Sequence, residues 1–179
     1  MIGADGGAPQ PRALLLVGSV GVGKTTAVDA IGEELAARGV PGAAIDLDWL
    51  RRAWPAPADD PFHHRLELTN LQSVAATMRE AGARVLLAAG VIEAREDRED
   101  YERAVGCPLT VVRLTAPREL VRARLHRRHE LDPDGLAWHL DRFDELTAIL
   151  DAAGVEDVTV PIGQDPQATA RAVLEAAGL

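Results

Sequence analysis

Several residue types are scarce in this chain of 179 residues, and each scarcity excludes a class of protein. Cys107 is the only cysteine, so no internal disulfide can form, and we expect it to pack as a small apolar side chain. No apolar run approaches the length of a membrane span, and residues 2–12 lack the pattern of a secretion signal, so we expect a cytoplasmic protein. The net charge of -9 argues against general binding to nucleic acids or anionic membranes.

The chain also contains a single lysine, Lys24, and uses arginine for every other permanent cation. Lys24 lies in the segment from Gly18 to Thr25, which matches the phosphate-binding pattern G-x-x-x-x-G-K-[ST] at every fixed position. The apolar residues 13–17 predict a buried strand before this segment. Apolar residues at helical spacing within 28–35 predict a helix after it.

A strand, a glycine-rich loop and a helix in this order form a site for phosphate, because backbone N–H groups and the positive end of the helix converge there. We therefore predict that the protein uses ATP with Mg²⁺. Lys24 is the predicted catalytic cation, and the Thr25 hydroxyl is a predicted Mg²⁺ ligand. The alternative is a glycine turn that holds no ligand. The residues predicted to bind the nucleotide are Gly18, Ser19, Gly21, Val22, Gly23, Lys24, Thr25 and Thr26.

Strand and helix signals alternate along the rest of the chain, which predicts a parallel sheet with helices on both faces. We expect a flexible segment, 1–12, and then a single domain over residues 13–179. The expected fold is the three-layer α/β/α P-loop NTPase fold with five parallel strands. The predicted strands are 13–17, 43–45, 85–89, 109–114 and 155–162. The helices predicted after the first are 66–81, 94–105, 117–129, 134–153 and 166–177.

The single lysine also narrows the class of P-loop protein. Common GTPases read guanine through an Asn-Lys-x-Asp segment, which this chain cannot contain because its lysine lies in the phosphate loop. Motor and AAA-type ATPases usually place a carboxylate at the end of an apolar strand to position Mg²⁺. The predicted third strand is followed by no acid before Glu93. The carboxylates Asp46 and Asp48 lie after the second strand instead.

The segment Asp46-x-Asp48-x-x-Arg51 resembles the D-x-D-x-x-R segment of adenylylsulfate (APS) kinases. Residues 95–99 are similar to an arginine- and acid-rich segment that APS kinases carry after the third strand. The chain more distantly resembles shikimate and gluconate kinases. These resemblances imply a small-molecule kinase with the strand order 2-3-1-4-5 of nucleoside-monophosphate kinases. They also imply that Arg51 and Arg95 face the phosphoryl acceptor.

The two aspartates suit phosphoryl transfer to a hydroxyl, which requires metal ions near the phosphates and a carboxylate that accepts the hydroxyl proton. We assign Asp48 as this base and as an acceptor ligand, and we assign Asp46 to the Mg²⁺ shell. If the strand remains extended here, the two carboxylates point to the same side, about 7 Å apart. The alternative makes Asp48 the N-cap of a helix that starts at Trp49, with Arg51 in solvent.

The predicted helix 117–129 is rich in arginine, and Arg124, Arg127 and Arg128 fall within one turn of it. Like charges at this spacing favour an anionic partner. In related kinases this region begins the lid, which here would span about residues 124–134. We therefore predict that Arg124 and Arg128 are catalytic and stabilise the transferred phosphoryl group. The alternative is a solvated face whose arginines pair with nearby glutamates.

Residues 51–65 combine several prolines with aromatic and arginine side chains. We predict that this segment covers the acceptor pocket, because the connection after the second strand contacts the acceptor in P-loop kinases. Trp54 and Phe62 would stack a flat substrate, while Arg51 and Arg52 would bind an anionic group. Alternatively, the aromatic side chains pack the loop onto the domain.

Three functions remain open at this point. The favoured function is ATP-dependent phosphorylation of a hydroxyl on a small metabolite, anionic or aromatic, such as an adenylylsulfate-like molecule or an antibiotic. A nucleoside or nucleotide kinase is the second, and a nucleotide-dependent binding or regulatory module is the third. Gln164 is a predicted nucleotide contact, because related kinases pass a loop over adenine after the last strand. The apolar residues fit either a core or a homodimer interface.

Overall fold

The structure is a computed structural model that describes residues 10–179. Residues 1–9 of the segment predicted to be flexible lie outside the described residues, and Arg12 already belongs to the first strand. The five strands are β1 (Arg12–Val17), β2 (Gly42–Asp46), β3 (Val85–Gly90), β4 (Leu109–Thr115) and β5 (Val158–Pro161). Within residues 10–179 the α-helices are α1 (Lys24–Ala37), α2 (Leu47–Leu50), α3 (His64–Glu80), α4 (Arg98–Val105), α5 (Arg118–Arg128), α6 (Pro133–Ala153) and α7 (Pro166–Ala176).

All five strands pair in parallel, in the order β2-β3-β1-β4-β5. This arrangement confirms the predicted P-loop NTPase fold and the strand order 2-3-1-4-5. The central strand β1 pairs with β3 from Arg12 opposite Val85 to Val17 opposite Gly90. Because the strands are parallel, their carboxyl ends lie at one edge of the sheet, and the loops that follow β1 and β2 lie at that edge.

The side chains of β1 enter two apolar cores, because successive residues of a strand point to opposite faces of the sheet. Leu15 and Val17 pack on the face covered by α3 and α4, whereas Leu14 and Leu16 pack on the face covered by α1 and α7. A third, smaller cluster joins α5 to α6. Among residues 10–179, no helix is both long and apolar enough to cross a lipid bilayer.

The helix α3 begins at His64, two residues before the predicted start. Asp60 provides the reason: its carboxylate accepts hydrogen bonds from the backbone N–H of His64 at 2.7 Å and of Arg65 at 3.1 Å. These bonds satisfy donors that a helix N-terminus leaves without partners. The irregular part of the segment 51–65 therefore ends at His63.

Two other predicted elements differ from the structure. Residues 95–97 form a 3-10 helix, so α4 is shorter than the single helix predicted over 94–105. The last strand begins at Val158 rather than at residue 155. The carboxylate of Asp157 accepts a hydrogen bond from the Val111 N–H at 2.8 Å, and this side chain takes the place of a backbone partner in the sheet.

Candidate active site

The phosphate loop joins the end of β1 to the start of α1 over residues 18–23. Gly23 precedes the helix with a φ of 111°, a conformation that glycine adopts without strain. No side chain caps the N-terminus of α1, and its first turn contains no acidic residue. The N–H groups and the positive dipole end of α1 therefore remain open to an anion.

The Lys24 ammonium folds back over this loop. Its Nζ donates hydrogen bonds to the carbonyl oxygens of Gly18 at 2.8 Å and Ser19 at 3.3 Å. Burial lowers the pKa of Lys24 to about 8, although the charges of Asp48 and Asp46 raise it. An ammonium held by carbonyl oxygens, with carboxylates only at a distance, gains stability from an anionic ligand. This environment fits the predicted contact with phosphate.

A pocket of about 1230 Å³ borders the phosphate loop and is large enough for a nucleotide together with a second small molecule. Gly18, Ser19 and Val22 are buried and do not line this pocket. Most of the other predicted site residues do meet there, although they come from distant parts of the chain. The predicted site residues that line the pocket are Gly21, Gly23, Lys24, Thr25, Thr26, Asp46, Asp48, Arg52, Arg124, Arg128 and Gln164.

Four residues predicted to bind the acceptor do not line this pocket: Arg51, Trp54, Phe62 and Arg95. Trp54 is 83% exposed and Phe62 is 66% exposed, because the proline-containing loop after α2 runs over the surface toward α3. Arg95 lies in the 3-10 helix, where its Nη1 donates a hydrogen bond to the carbonyl oxygen of Gly154 at 3.1 Å. The structure thus separates these side chains from the phosphate loop.

Asp46 and Asp48 reach the pocket by a different geometry from the predicted one. The strand β2 ends at Asp46 and α2 begins at Leu47, so the condition of an extended strand, under which both carboxylates would point to the same side, is not met. Asp46, and not Asp48, is the N-cap: its Oδ1 accepts a hydrogen bond from the Asp48 N–H at 3.0 Å. Both side chains nevertheless line the pocket, so one turn of helix places the two carboxylates together.

Arg51 is a paired cation rather than a side chain in solvent. It donates a hydrogen bond to Oδ1 of Asp48, and its Nε lies 3.4 Å from Oε2 of Glu67. Burial alone would lower the pKa of Arg51, but the hydrogen bond to Asp48 and the charge of Glu67 outweigh burial and raise this pKa. Arg51 does not line the pocket. Its guanidinium therefore acts on Asp48 and does not directly face the space for an acceptor.

Arg124 connects the phosphate loop to the loop between β5 and α7, and residues of both loops line the pocket. Its Nη1 donates to the carbonyl oxygen of Val22 at 2.6 Å, and its Nη2 donates to that of Gly163 at 2.6 Å. Gln164, the predicted adenine contact, follows Gly163 and also lines the pocket. The fork of one guanidinium thus links the phosphate loop to the loop between β5 and α7.

The arginine-rich face of α5 points into the same space. Arg124, Arg127 and Arg128 all line the pocket. Over residues 10–179, none of the three forms an ion pair with Glu119 or Glu130, so the pairing that the alternative requires is absent, while Arg127 and Arg128 are exposed to solvent. Three cations that face one pocket without carboxylate partners favour a polyanionic ligand.

Trp49 is a pocket residue that sequence reasoning missed. It is 67% exposed on α2 and lines the pocket next to Asp48. The guanidinium carbon of Arg52 lies 4.7 Å from the centre of its ring, which is the distance of a cation–π contact. The scarcity of aromatic residues and the position of Trp49 between Asp48 and Arg51 were signals that could have identified it.

The side chains around the pocket suit a magnesium nucleotide. Thr25 presents a hydroxyl in the first turn of α1, and Asp46 uses only Oδ1 for its N-cap hydrogen bond. Hydroxyl and carboxylate oxygens are the ligands that Mg²⁺ prefers. The backbone of the loop and Lys24 supply donors for phosphate oxygens. The predicted set of Thr25, Asp46 and the loop is therefore chemically consistent with the metal and the nucleotide.

A family model described as an AAA domain matches residues 14–152. The chain therefore belongs to this family of P-loop proteins. In this chain no carboxylate follows β3 before Glu93, unlike the usual pattern of AAA-type ATPases. The family match shows that this feature does not exclude membership.

Solved structures give the same fold. The chain is similar to a tunicamycin resistance protein of Deinococcus radiodurans, with 20% identity, a TM-score of 0.63 and coverage of 95% of this chain and 97% of that one. It is similar to a shikimate kinase of Bacteroides thetaiotaomicron, with 18% identity, a TM-score of 0.65 and coverage of 93% and 98%. It is also similar to an APS kinase of Mycobacterium tuberculosis in complex with AMPPNP and APS, with 18% identity, a TM-score of 0.57 and coverage of 96% and 99%.

No curated protein sequence matches the chain. The structural likenesses confirm the predicted relation to P-loop small-molecule kinases at the level of the fold.

Proposed function

We propose that the protein is a kinase that transfers the γ-phosphoryl group of ATP to a hydroxyl group of a small molecule, with Mg²⁺ as the metal. The observation that carries this proposal is that one pocket contains both the phosphate loop and the two carboxylates at the end of β2. A nucleotide phosphate held by the loop and a hydroxyl held by Asp48 would share that space. Such proximity is the main requirement of phosphoryl transfer.

Each group around the pocket has a defined role in this reaction. The acceptor oxygen forms a bond to the γ-phosphorus while the bond to the bridging oxygen of ADP breaks. Asp48 accepts the hydroxyl proton, and the products are ADP and a phosphate monoester. Lys24 and the arginines of α5 stabilise the negative charge on the transferred group. Thr25 and Asp46 would hold Mg²⁺, which neutralises the phosphates.

Trp49 and Arg52 indicate what kind of acceptor the pocket takes. The exposed face of Trp49 offers a flat apolar surface, and Arg52, stacked on it, has no carboxylate partner within residues 10–179. We therefore propose an acceptor that combines a ring with an anionic group close to the reacting hydroxyl. A hydroxylated antibiotic is a second class to test, because of the likeness to a tunicamycin resistance protein.

The test is ADP release from ATP and Mg²⁺ with a panel of acceptors, followed by mass spectrometry of the product. The panel contains adenylylsulfate, shikimate, gluconate, nucleosides, nucleoside monophosphates, tunicamycin and other hydroxylated antibiotics. Lys24→Ala is the blank, because it removes the phosphate-binding cation. We expect one acceptor class to raise ADP release well above the blank and to gain the mass of one phosphoryl group. A rate that no acceptor raises would contradict the proposal and favour a nucleotide-dependent binding module.

A further inference from the structure

Glu67 is a carboxylate buried outside the pocket. It lies on α3, is 1% exposed and does not line the pocket. Burial of a carboxylate is unfavourable unless hydrogen-bond donors or cations compensate for the lost water. Each of the two Glu67 oxygens has one such partner in the structure, and the two partners come from different elements.

Tyr101 of α4 is the partner of the first oxygen. Its hydroxyl donates a hydrogen bond to Oε1 of Glu67 at 2.5 Å, and its ring is 2% exposed. Burial raises the pKa of Tyr101, and the charge of Glu67 raises this pKa further. The phenol therefore remains a hydrogen-bond donor at neutral pH and fixes the orientation of the carboxylate.

Arg51 is the partner of the second oxygen. Its Nε lies 3.4 Å from Oε2 of Glu67, while its Nη2 donates a hydrogen bond to Oδ1 of Asp48. One planar guanidinium thus connects the buried Glu67 to the exposed Asp48, whose side chain is 70% exposed. Arg51 does not line the pocket and Asp48 does, so the connection runs from the interior to the pocket edge.

A purely structural role does not explain a carboxylate at this position. The end of α2 is already attached to α3 by Asn70, whose Nδ2 donates a hydrogen bond to the carbonyl oxygen of Leu50 at 2.7 Å. Apolar side chains in place of a buried ion pair often leave a protein as stable or more stable. Glu67 has a more specific consequence. It holds the Nε edge of the Arg51 guanidinium, while Nη2 of the same guanidinium remains hydrogen-bonded to Asp48.

We propose that Glu67 is a positioning residue: through Arg51 it fixes the rotamer of Asp48, and Tyr101 fixes Glu67 in turn. This inference rests on the proposed function, because the orientation of Asp48 affects catalysis only if Asp48 is the base. An exposed aspartate without this connection would sample several rotamers. The connection holds the carboxylate in one direction before the acceptor arrives, which is the geometry that general-base catalysis requires.

The first test measures the connection without any reaction. NMR follows the Nε–H signal of Arg51 and the side-chain carboxyl carbon of Asp48 in the wild type and in Glu67→Gln. The amide keeps the shape of the side chain but turns an N–H₂ group or an uncharged oxygen toward Arg51. We expect the Arg51 signal to move or broaden and the Asp48 carboxyl signal to shift with it. An Asp48 signal that stays in place while the Arg51 signal changes would overturn the proposal.

Leu71→Ala is the matched control for this test. Leu71 lies on the same helix as Glu67 and is 1% exposed in the core. Its truncation therefore destabilises α3 but removes none of the contacts that connect Tyr101, Glu67, Arg51 and Asp48. We expect it to lower the melting temperature and leave both NMR signals in place. Tyr101→Phe serves as a second variant that keeps the ring and all charges, and we expect a smaller shift of the same Asp48 signal.

The second test is kinetic and uses the acceptor identified by the panel. We expect Glu67→Gln to lower kcat about tenfold while the KM for ATP changes less than about twofold, because the phosphate loop is unaltered. If Glu67 acts through Arg51, its substitution has no further effect once Arg51 is alanine. The double variant should then turn over within about twofold of Arg51→Ala alone. If the losses of kcat in the two single variants multiply in the double variant, the positioning role is contradicted. It is also contradicted if Leu71→Ala loses as much kcat as Glu67→Gln.

The two tests separate this inference from the proposed function. If no acceptor is phosphorylated, the proposed kinase activity is contradicted. The NMR signals of Asp48 and Arg51 would still decide whether Glu67 orients Asp48.

Discussion

Leu47 packs directly against Gly90: a Cβ atom on Gly90 would lie 2.5 Å from Cδ1 of Leu47. Leu47 begins α2 and is 1% exposed, and Gly90 ends β3. The absence of a side chain at Gly90 lets α2 dock onto the end of the sheet. Asp48 follows Leu47, so the position of this carboxylate at the pocket depends on the space that the glycine provides.

Gly90→Ala should therefore destabilise the protein and reduce turnover together. The added methyl group must push Leu47 away from the sheet, and such overpacking typically costs about 1–3 kcal/mol. Chemical denaturation and kcat provide the two measurements. Gly32→Ala is the control, because no atom lies within 4 Å of a Cβ at this position in α1. That variant should be more stable by up to about 1 kcal/mol. A Gly90→Ala protein as stable and active as the wild type would contradict the close contact.

Asp48→Asn should abolish turnover while ATP affinity stays nearly unchanged. The amide cannot accept the proton of the acceptor, whereas the backbone and Lys24 still bind the phosphates. Single-turnover kinetics and ATP titration measure the two properties. Asp29→Asn removes one exposed carboxylate from α1, outside the pocket, and should alter neither property. Turnover that persists in Asp48→Asn would refute the assignment of the base.

Alanine at both Arg124 and Arg128 should lower kcat more than it weakens ATP binding. These side chains would stabilise charge that develops on the transferred group, so their loss acts mainly on the transition state. Arg122→Ala provides the control, because Arg122 lies on the same helix but does not line the pocket. An unchanged kcat in the double variant would show that the cluster has no catalytic role.

The sequence predicts the sheet and the phosphate loop well because both depend on short-range patterns. The buried run 13–17 has no polar residue, and the loop matches a pattern in which glycine and Lys24 each have a physical requirement. The strand order, in contrast, came from the resemblance to kinases. Local periodicity does not specify which strands become neighbours.

The errors at the site have non-local causes. Whether Asp46 or Asp48 caps α2 depends on where β2 stops pairing with β3, and the pattern of residues 46–51 does not specify that point. Trp49 rather than Trp54 lines the pocket because the contact with Gly90 sets the orientation of α2. Leu47 and Gly90 lie far apart in the sequence, so the local pattern marks Trp49 as a candidate beside Asp48 but does not specify which tryptophan lines the pocket.

Trp49→Ala should raise the KM for the acceptor, while Trp54→Ala should leave it unchanged. The two residues are both exposed tryptophans, but only Trp49 lines the pocket, so the pair forms a matched comparison. Loss of ring stacking typically costs about 1–3 kcal/mol, by analogy with aromatic platforms that stack bases. Steady-state kinetics with the acceptor gives the answer. A larger effect at Trp54 would favour the original prediction that residues 51–65 cover the acceptor.

Glu67 gives the protein a specific dependence of stability on pH. Burial raises the pKa of Glu67 above its ordinary value, and Asp48 adds to this effect. The hydrogen bond from Tyr101 and the charges of Arg51 and His64 oppose it without cancelling it. The pKa of Glu67 is thus higher in the folded protein than in the unfolded chain. At pH values between these two, the folded protein holds a proton on Glu67 that the unfolded chain has lost. Stability therefore falls as the pH rises through this interval.

The comparison with Glu67→Gln isolates that contribution, because the variant keeps every other titrating group. Relative to the variant, the wild type should have its largest free energy of unfolding below about pH 4.5, where Glu67 is protonated in both states. This advantage should decline as the pH rises above the ordinary pKa of a glutamate and then become constant once Glu67 is ionised in the folded protein. Urea denaturation at several pH values measures the difference. A difference that grows with pH would mean that the ion pair with Arg51 outweighs burial and lowers the pKa of Glu67 instead.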